Sequence, residues 1–270
     1  MVNRTYSIPL HTLKKPHVPA QQSDAIVLRM TPWSETSLIG SLYTRDFGKI
    51  SVVAKGARRP KSPFEAALDL LSVCRVVFID KSSDSLYVLT EAKLSRRFRT
   101  TGGELLRLYC AYYLVELLEK LTDQHDPQRE LFDLAVDTIR QLEHSESEVR
   151  SVVLRFELQL LRLTGHLPSF RLCAQCGCEV EAKSGWLTYG PLSTGVLCTQ
   201  CSTGGRQLMR IPIAVRDYVE GFADAAWQSI PVTEYVEGHR ATIRAMMIKT
   251  FTCMLDQRLK LHPYLEELGR

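Results

Sequence analysis

Five runs decide the fold: AIVLRM (25–30), SLIGSLYT (37–44), KISVVAK (49–55), SVCRVVFI (72–79) and SLYVLTE (85–91). Each is short and rich in Val, Ile and Leu. Turn material separates them: Pro32, Trp33 and Ser34; Asp46, Phe47 and Gly48; a Pro- and Ser-containing stretch at 56–63; and Ser82, Ser83 and Asp84. Such runs between such breaks read as strands. Five strands in about 70 residues, with no room for helical crossovers, predict a small closed barrel. Closure also removes the unpaired edges that an open sheet presents.

From 103 the period changes. ELLRLYCAYYLVELLEKL is apolar on nearly every side and reads as a buried helix that ends before Asp126 and Pro127. A second helix is expected over 128–143. A third follows from Val149, Val152, Val153, Phe156, Leu160 and Leu163 at helical spacing. Leu154, Leu158 and Leu161 give it a second apolar face, leaving a narrow stripe of Ser151, Arg155, Gln159 and Arg162. Gly165 and then Pro168 end it, as a glycine cap followed by a proline should. Two more helices are expected near 212–227 and 237–258.

Between the third and fourth helices lie Cys173, Cys176, Cys198 and Cys201, two Cys-x-x-Cys pairs separated by 21 residues. The gap is slightly longer than the usual spacing of roughly 15–20 residues but is still one ribbon-like unit. Each pair wraps two thiolates around one side of an ion, and together they complete a tetrahedron. Zinc is the expected occupant, since it favours four sulfur ligands and needs no redox change. A closed four-thiolate site leaves no position for substrate, so the ion is a structural staple. Disulfides fit less well, because Cys74, Cys110 and Cys253 sit in apolar surroundings that suit buried free thiols in a reducing compartment. A redox dithiol is less natural for two pairs than for one. Cys178 offers a fifth sulfur and reads as a bystander.

Charge is uneven. The net charge is +4, yet residues 23–100 hold 13 Lys/Arg against 8 Asp/Glu, or +5. A local cationic surface suits engagement of a polyanion. Lys55, Arg58, Arg59 and Lys61 fall within seven residues, and Gly56 and Pro60 place them in a loop. Arg96, Arg97 and Arg99 form a second cluster where the barrel hands over to the helices. Cationic heads release counterions from a phosphate chain, which favours binding. Small barrels commonly hold single strands across one face, with aromatic rings as platforms for bases. Trp33, Tyr43, Phe47, Phe64 and Tyr87 lie in or beside the strands. Tyr43 and Tyr87 are the better stacking candidates, each facing away from neighbouring aliphatics, and Phe64 lies close to the basic loop.

Several classes are not supported. No run approaches 18 uncharged apolar residues, so no membrane span is expected. Residues 1–22 lack the apolar core of a signal peptide and hold three prolines and no acid, which reads as a disordered basic extension. There is no Gly-x-x-x-x-Gly-Lys-Ser/Thr, His-Glu-x-x-His, Gly-x-Ser-x-Gly or Gly-x-Gly-x-x-Gly. The seven histidines are scattered. Nothing nominates an active site, and the chain reads as a non-enzyme.

The run AIVLRMTPWSETSLIGSLYTRDFGKISVVAKGARRPKS resembles the amino-terminal barrel of the bacterial RecO recombination mediators, most specifically in YTRDFGK and AKGARRPKS. LRFELQLLRLTGHLPSFRLCAQCG resembles the family's helix leading into its zinc ribbon, through Phe156, Glu157, Leu160, Leu161, Gly165, Pro168 and Cys173. The likeness is good over 23–205 and weakens through 206–270. It implies an α+β protein: an OB-fold β-barrel at 23–100, then an α-helical domain at 101–270 carrying a four-cysteine zinc ribbon inserted at about 168–205. It implies a DNA repair protein of the cytoplasm and nucleoid that binds single- and double-stranded DNA and anneals complementary strands. The implied partners are RecR, in some bacteria RecF, the RecA pathway, and the acidic C-terminal tail of the single-stranded DNA-binding protein. Arg155 and Arg162 are candidates for that tail. The alternative is a zinc-ribbon and OB-fold factor that binds RNA in transcription or translation.

Overall fold

A computed structural model describes residues 19–64, 67–80, 86–100, 104–144, 148–182, 184–224 and 238–269. Its first five strands are β1 (Ala20–Pro32), β2 (Leu38–Thr44), β3 (Gly48–Ala54), β4 (Val73–Ile79) and β5 (Tyr87–Arg96). They close into a barrel in the order β1-β2-β3-β5-β4. All pairings are antiparallel except β3 with β5. β1 is long enough to serve two neighbours. Its first half pairs with β4 and its second with β2, and the register shifts between Val27 and Arg29. Such a bulge bends the strand round the barrel. At that bend a Cβ on Gly40 would stand 1.9 Å from the Arg29 carbonyl oxygen, so only glycine fits. Because β1 begins at Ala20, residues 20–22 are strand and not part of a disordered lead-in. Residues 1–18 of that lead-in, and the turn at Ser82, Ser83 and Asp84, lie outside the described residues.

Alternation along the strands feeds two cores. Ala25, Val27, Leu42, Ile50, Val52 and Phe78 point inward and fill the barrel. Ile26, Leu28, Tyr43 and Val73 point outward and join the core of the helical domain. Period 2 puts neighbours on opposite faces, so one strand serves both.

The helices are α1 (Leu105–Leu121), α2 (Arg129–Glu143), α3 (Val149–Leu163), α4 (Ile213–Asp224) and α5 (Arg240–Leu255). α3 sits at the centre. Even its polar residues Ser151, Arg155, Glu157 and Gln159 are buried. Its start is capped by Glu148, whose carboxylate accepts from the Ser151 N–H at 2.6 Å. Gly165 at φ +75° ends it, with the His166 N–H donating to the Leu161 carbonyl at 2.7 Å. A carboxylate this deep requires compensation. Glu157 receives both Arg244 Nη groups, at 2.6 and 3.2 Å, and the Tyr113 hydroxyl at 2.6 Å. One carboxylate thereby joins α1, α3 and α5.

The cysteine unit enters between α3 and α4. It holds β6 (Trp186–Gly190), β7 (Gly195–Leu197) and β8 (Met209–Pro212), with β6 central. The sheet runs on to Pro212, past the boundary expected at 205. Tyr189 on β6 hydrogen-bonds Thr250 on α5 at 2.7 Å and fastens the ribbon to the bundle.

Candidate nucleic-acid interface and metal centre

β3 ends at Ala54, and the chain turns through Gly56 at φ +74°, a left-handed conformation that suits glycine. The Arg59 N–H closes the turn on the Gly56 carbonyl at 3.0 Å. Lys55, Arg58, Arg59 and Lys61 are all exposed, and none has an acidic partner among the described residues. The loop is braced against the β1–β2 connection. The Arg58 N–H donates to the Thr36 carbonyl at 3.0 Å, and its guanidinium reaches the Ser34 carbonyl at 3.4 Å. That connection is itself a tight turn, with the Trp33 N–H bonded to the Ser37 carbonyl at 2.9 Å. It leaves Trp33 69% exposed.

The second basic cluster differs. Arg96 pairs with Glu143 at 2.5 Å and Arg97 with Asp69 at 3.2 Å. Arg99 is exposed, and its backbone N–H also bonds Glu143, at 3.3 Å. Arg96 therefore ties the barrel to α2, Arg97 ties the end of β5 to the barrel's own β3–β4 connection, and the charge of both is largely balanced.

Two stacking candidates are displaced. Tyr43 does face away from the barrel interior, but α2 covers that face, and its ring lies 6.2 Å from Phe132 with no exposed surface. Burial pushes its phenol well above the usual range. Phe64 turns inward and plugs the barrel at 3% exposure. Neither can receive a base. Tyr87 is half-buried, edge-on to Phe78 at 5.1 Å, with its hydroxyl 3.4 Å from His125 Nδ1. Trp33, named from the sequence among the aromatics in or beside the strands but not among the preferred candidates, is the one large aromatic standing free among the barrel's described residues.

The two arginines proposed for a partner peptide differ in exposure. Arg155 is buried against Asp137 at 2.8 Å, out of reach of a peptide, whereas Arg162 is 35% exposed and lies 3.5 Å from Glu130. Both acids belong to α2. Gln159 is spent on the Phe222 carbonyl at 2.6 Å.

The sulfurs of Cys173, Cys176, Cys198 and Cys201 all lie within 4.8 Å of one another. A tetrahedral ion with bonds of about 2.3 Å needs sulfur–sulfur edges of roughly 3.8 Å. The Cys176–Cys198 separation is 3.8 Å. Backbone groups shape the two knuckles. The Cys198 N–H points at Cys173 Sγ at 3.4 Å, the Cys201 N–H at Cys198 Sγ at 3.5 Å, and Gly177 at φ +74° follows the first pair. Donors aimed at sulfur favour thiolate, the form that binds metal. The donor set thus fits a metal ion. Cys178 stands outside it, its sulfur 3.4 Å from Cys176 Sγ, while its carbonyl accepts the Cys173 N–H at 2.7 Å.

Among the described residues no helix is long and apolar enough to cross a membrane. Comparison with known proteins covers both halves of the chain. The family model for the Recombination protein O N terminal matches residues 20–98, and that for the Recombination protein O C terminal matches 102–258. The chain is 46% identical over 185 residues to the DNA repair protein RecO of Rhodopirellula baltica, covering 68% of each. It is 28% identical over 245 residues to that of Symbiobacterium thermophilum, covering 91% of this chain and 96% of the relative. With that of Salinibacter ruber it shares 36% over 148 residues, 55% of this chain and 57% of the relative. On both the barrel half and the helical half, this chain belongs to the RecO family of DNA repair proteins.

Proposed function

We propose that the chain handles DNA without reacting with it, binding single and double strands through the barrel and annealing complementary strands. The observation that carries this reading is the loop 55–61, whose four cations are exposed and have no acidic partner among the described residues. Phosphates of two strands neutralised on one surface repel each other less, which lowers the barrier to pairing. Contacts mainly to phosphate give little sequence preference and a steep salt dependence. Within the cell the protein acts in the cytoplasm at the nucleoid. It works with RecR, and with RecF where that is present, to help RecA onto DNA covered by the single-stranded DNA-binding protein, whose acidic tail it recognises.

Zn²⁺ is the proposed metal, held by Cys173, Cys176, Cys198 and Cys201. It supplies no chemistry beyond clamping the ribbon, because four thiolates fill its coordination sphere. Metal analysis of the purified protein checks its identity.

The test is annealing of complementary strands pre-coated with single-stranded DNA-binding protein. Acceleration over the uncatalysed rate, abolished by R58E/R59E in a folded protein, is expected. An annealing rate equal to that without protein, or selective binding of structured RNA over DNA, overturns the reading.

A further inference from the structure

Of the stacking candidates named from the sequence, Tyr43 and Phe64 are buried, and Tyr87 is half-buried with its edge against Phe78. The structure supplies another. Trp33 stands at the tip of the β1–β2 turn, 69% exposed. Tryptophan has the largest apolar surface of any side chain, and leaving it in water forgoes that burial. The backbone that carries it is held by hydrogen bonds. Trp33 and Ser34 both donate backbone N–H groups to the Ser37 carbonyl, and the Ser37 N–H returns to Ser34 Oγ at 3.2 Å. The same turn is bonded to the basic loop through Arg58. A rigid turn thus carries an exposed indole beside cations that have no acidic partner among the described residues. Trp33 also forms part of the wall of a cleft of about 490 Å³, with Arg29, Thr31, Ile39 and Ser51. Glu119, whose carboxylate accepts from Ser41 Oγ at 2.8 Å, and the exposed Arg29 both line it.

We propose that Trp33 is a base-stacking platform for single-stranded nucleic acid, set beside the phosphate-binding loop 55–61. This rests on the proposed role of that loop. It also makes the surface selective. An unpaired base offers its ring face to the indole, whereas a duplex has spent its faces on internal stacking.

The experiment compares W33A, W33F and R58A/R59A with the unaltered protein on three probes: oligothymidylate, an abasic chain of equal length, and a duplex. W33A is expected to bind oligothymidylate roughly 5- to 150-fold more weakly. W33F keeps most of the affinity. W33A binds the abasic chain and the duplex as the unaltered protein does, and its salt dependence on oligothymidylate is unchanged. Thermal unfolding of W33A should match the unaltered protein, as the side chain is exposed. Full affinity of W33A for oligothymidylate, or an equal loss on the abasic chain, overturns the stacking role. If R58A/R59A weakens binding in that same experiment, the loop reading survives on its own. If R58A/R59A changes nothing on any probe, the loop reading falls and the platform with it.

Discussion

Removing Arg58 and Arg59 together gives a quantity that is worked from the structure. Four exposed cations on the loop allow up to four phosphate contacts. Each contact to a single strand contributes about −0.7 to the slope of log affinity against log salt, so the loop contributes about −2.8 and R58A/R59A about −1.4. From 50 to 200 mM salt, this loop's share of the loss is about 50-fold for the unaltered protein and about sevenfold for the variant. Stability should change little, because both side chains are exposed and Arg58 makes only a long contact to a carbonyl. Substitutions away from packed features usually fall within about 0.5 kcal/mol. R96A is the control. Glu143 already balances Arg96, so the slope should stay as it is. Fluorescence anisotropy on several unrelated oligonucleotides across that salt range measures all three. Equal slopes for R58A/R59A and the unaltered protein, or an R96A slope that falls as far, refute the assignment of the loop.

Three further outcomes follow from the helical domain and its junction. R244M strands the buried Glu157 carboxylate and should cost about 3–5 kcal/mol in urea unfolding, whereas R244M/E157Q should cost less than R244M alone; additive losses would show that the pair is not coupled. His262 is fully buried, neither ring nitrogen has a hydrogen-bond partner among the described residues, and burial followed by Arg244 and Arg258 pushes it down to about 4. The fold holds it neutral while the unfolded chain protonates near 6.5, so this stability is full above pH 6.5 and drains away as pH falls through 4. The loss is about 3 kcal/mol and should be absent in H262F; parallel pH profiles contradict it. Gly48 has φ +67°, and a Cβ there would stand 2.4 Å from the Asp126 carbonyl oxygen, so G48A should cost about 2 kcal/mol or more. A G48A protein with unchanged unfolding would mean that this turn moves freely away from the connection between α1 and α2.

The sequence disclosed most of the elements because local pattern determines them. Short Val- and Ile-rich runs between turns gave the five strands, and the Val149 to Leu163 spacing gave α3 with its glycine cap. What alternation cannot disclose is the cover on an outward face. Tyr43 was correctly assigned away from the barrel interior, yet Phe132 of α2 lies over it, and solvent never reaches the ring. Most of the polar stripe on α3 is covered for the same reason, Arg162 being the exception at 35% exposure. A line of Arg and Gln on an apolar helix looks solvated until another helix brings Asp137 and Glu130 to it. Phe64 failed differently. Nearness in sequence to four cations said nothing of its direction, and it turns inward from the loop that keeps them in water. The parallel closure of β3 on β5 joins residues more than thirty apart with no local signature.

On the proposed reading, the same coverings limit where a nucleic acid can meet the barrel. One side of the cylinder is lost to the helices, because Ile26, Leu28, Tyr43 and Val73 lie in their core. The end bearing Gly48 and Lys49 is lost as well. There the His125 N–H bonds the Lys49 carbonyl at 3.0 Å, and the Lys49 ammonium is drawn to the Glu119 carbonyl at 2.6 Å. Cations on those surfaces, Arg45 on Asp133 and Arg129 on Asp46, are already paired with acids. The β1–β2 turn and the 55–61 loop belong to neither covered surface. They leave β2 and β3 at the ends opposite the 45–47 turn, which joins those two antiparallel strands next to the helices. Cations where the two domains meet are paired with acids, whereas the four on the 55–61 loop are exposed and have no acidic partner among the described residues. A modest net charge of +4 is therefore no obstacle to gripping a polyanion. The proposed attraction rests on the local imbalance at the 55–61 loop and not on the sum over the chain.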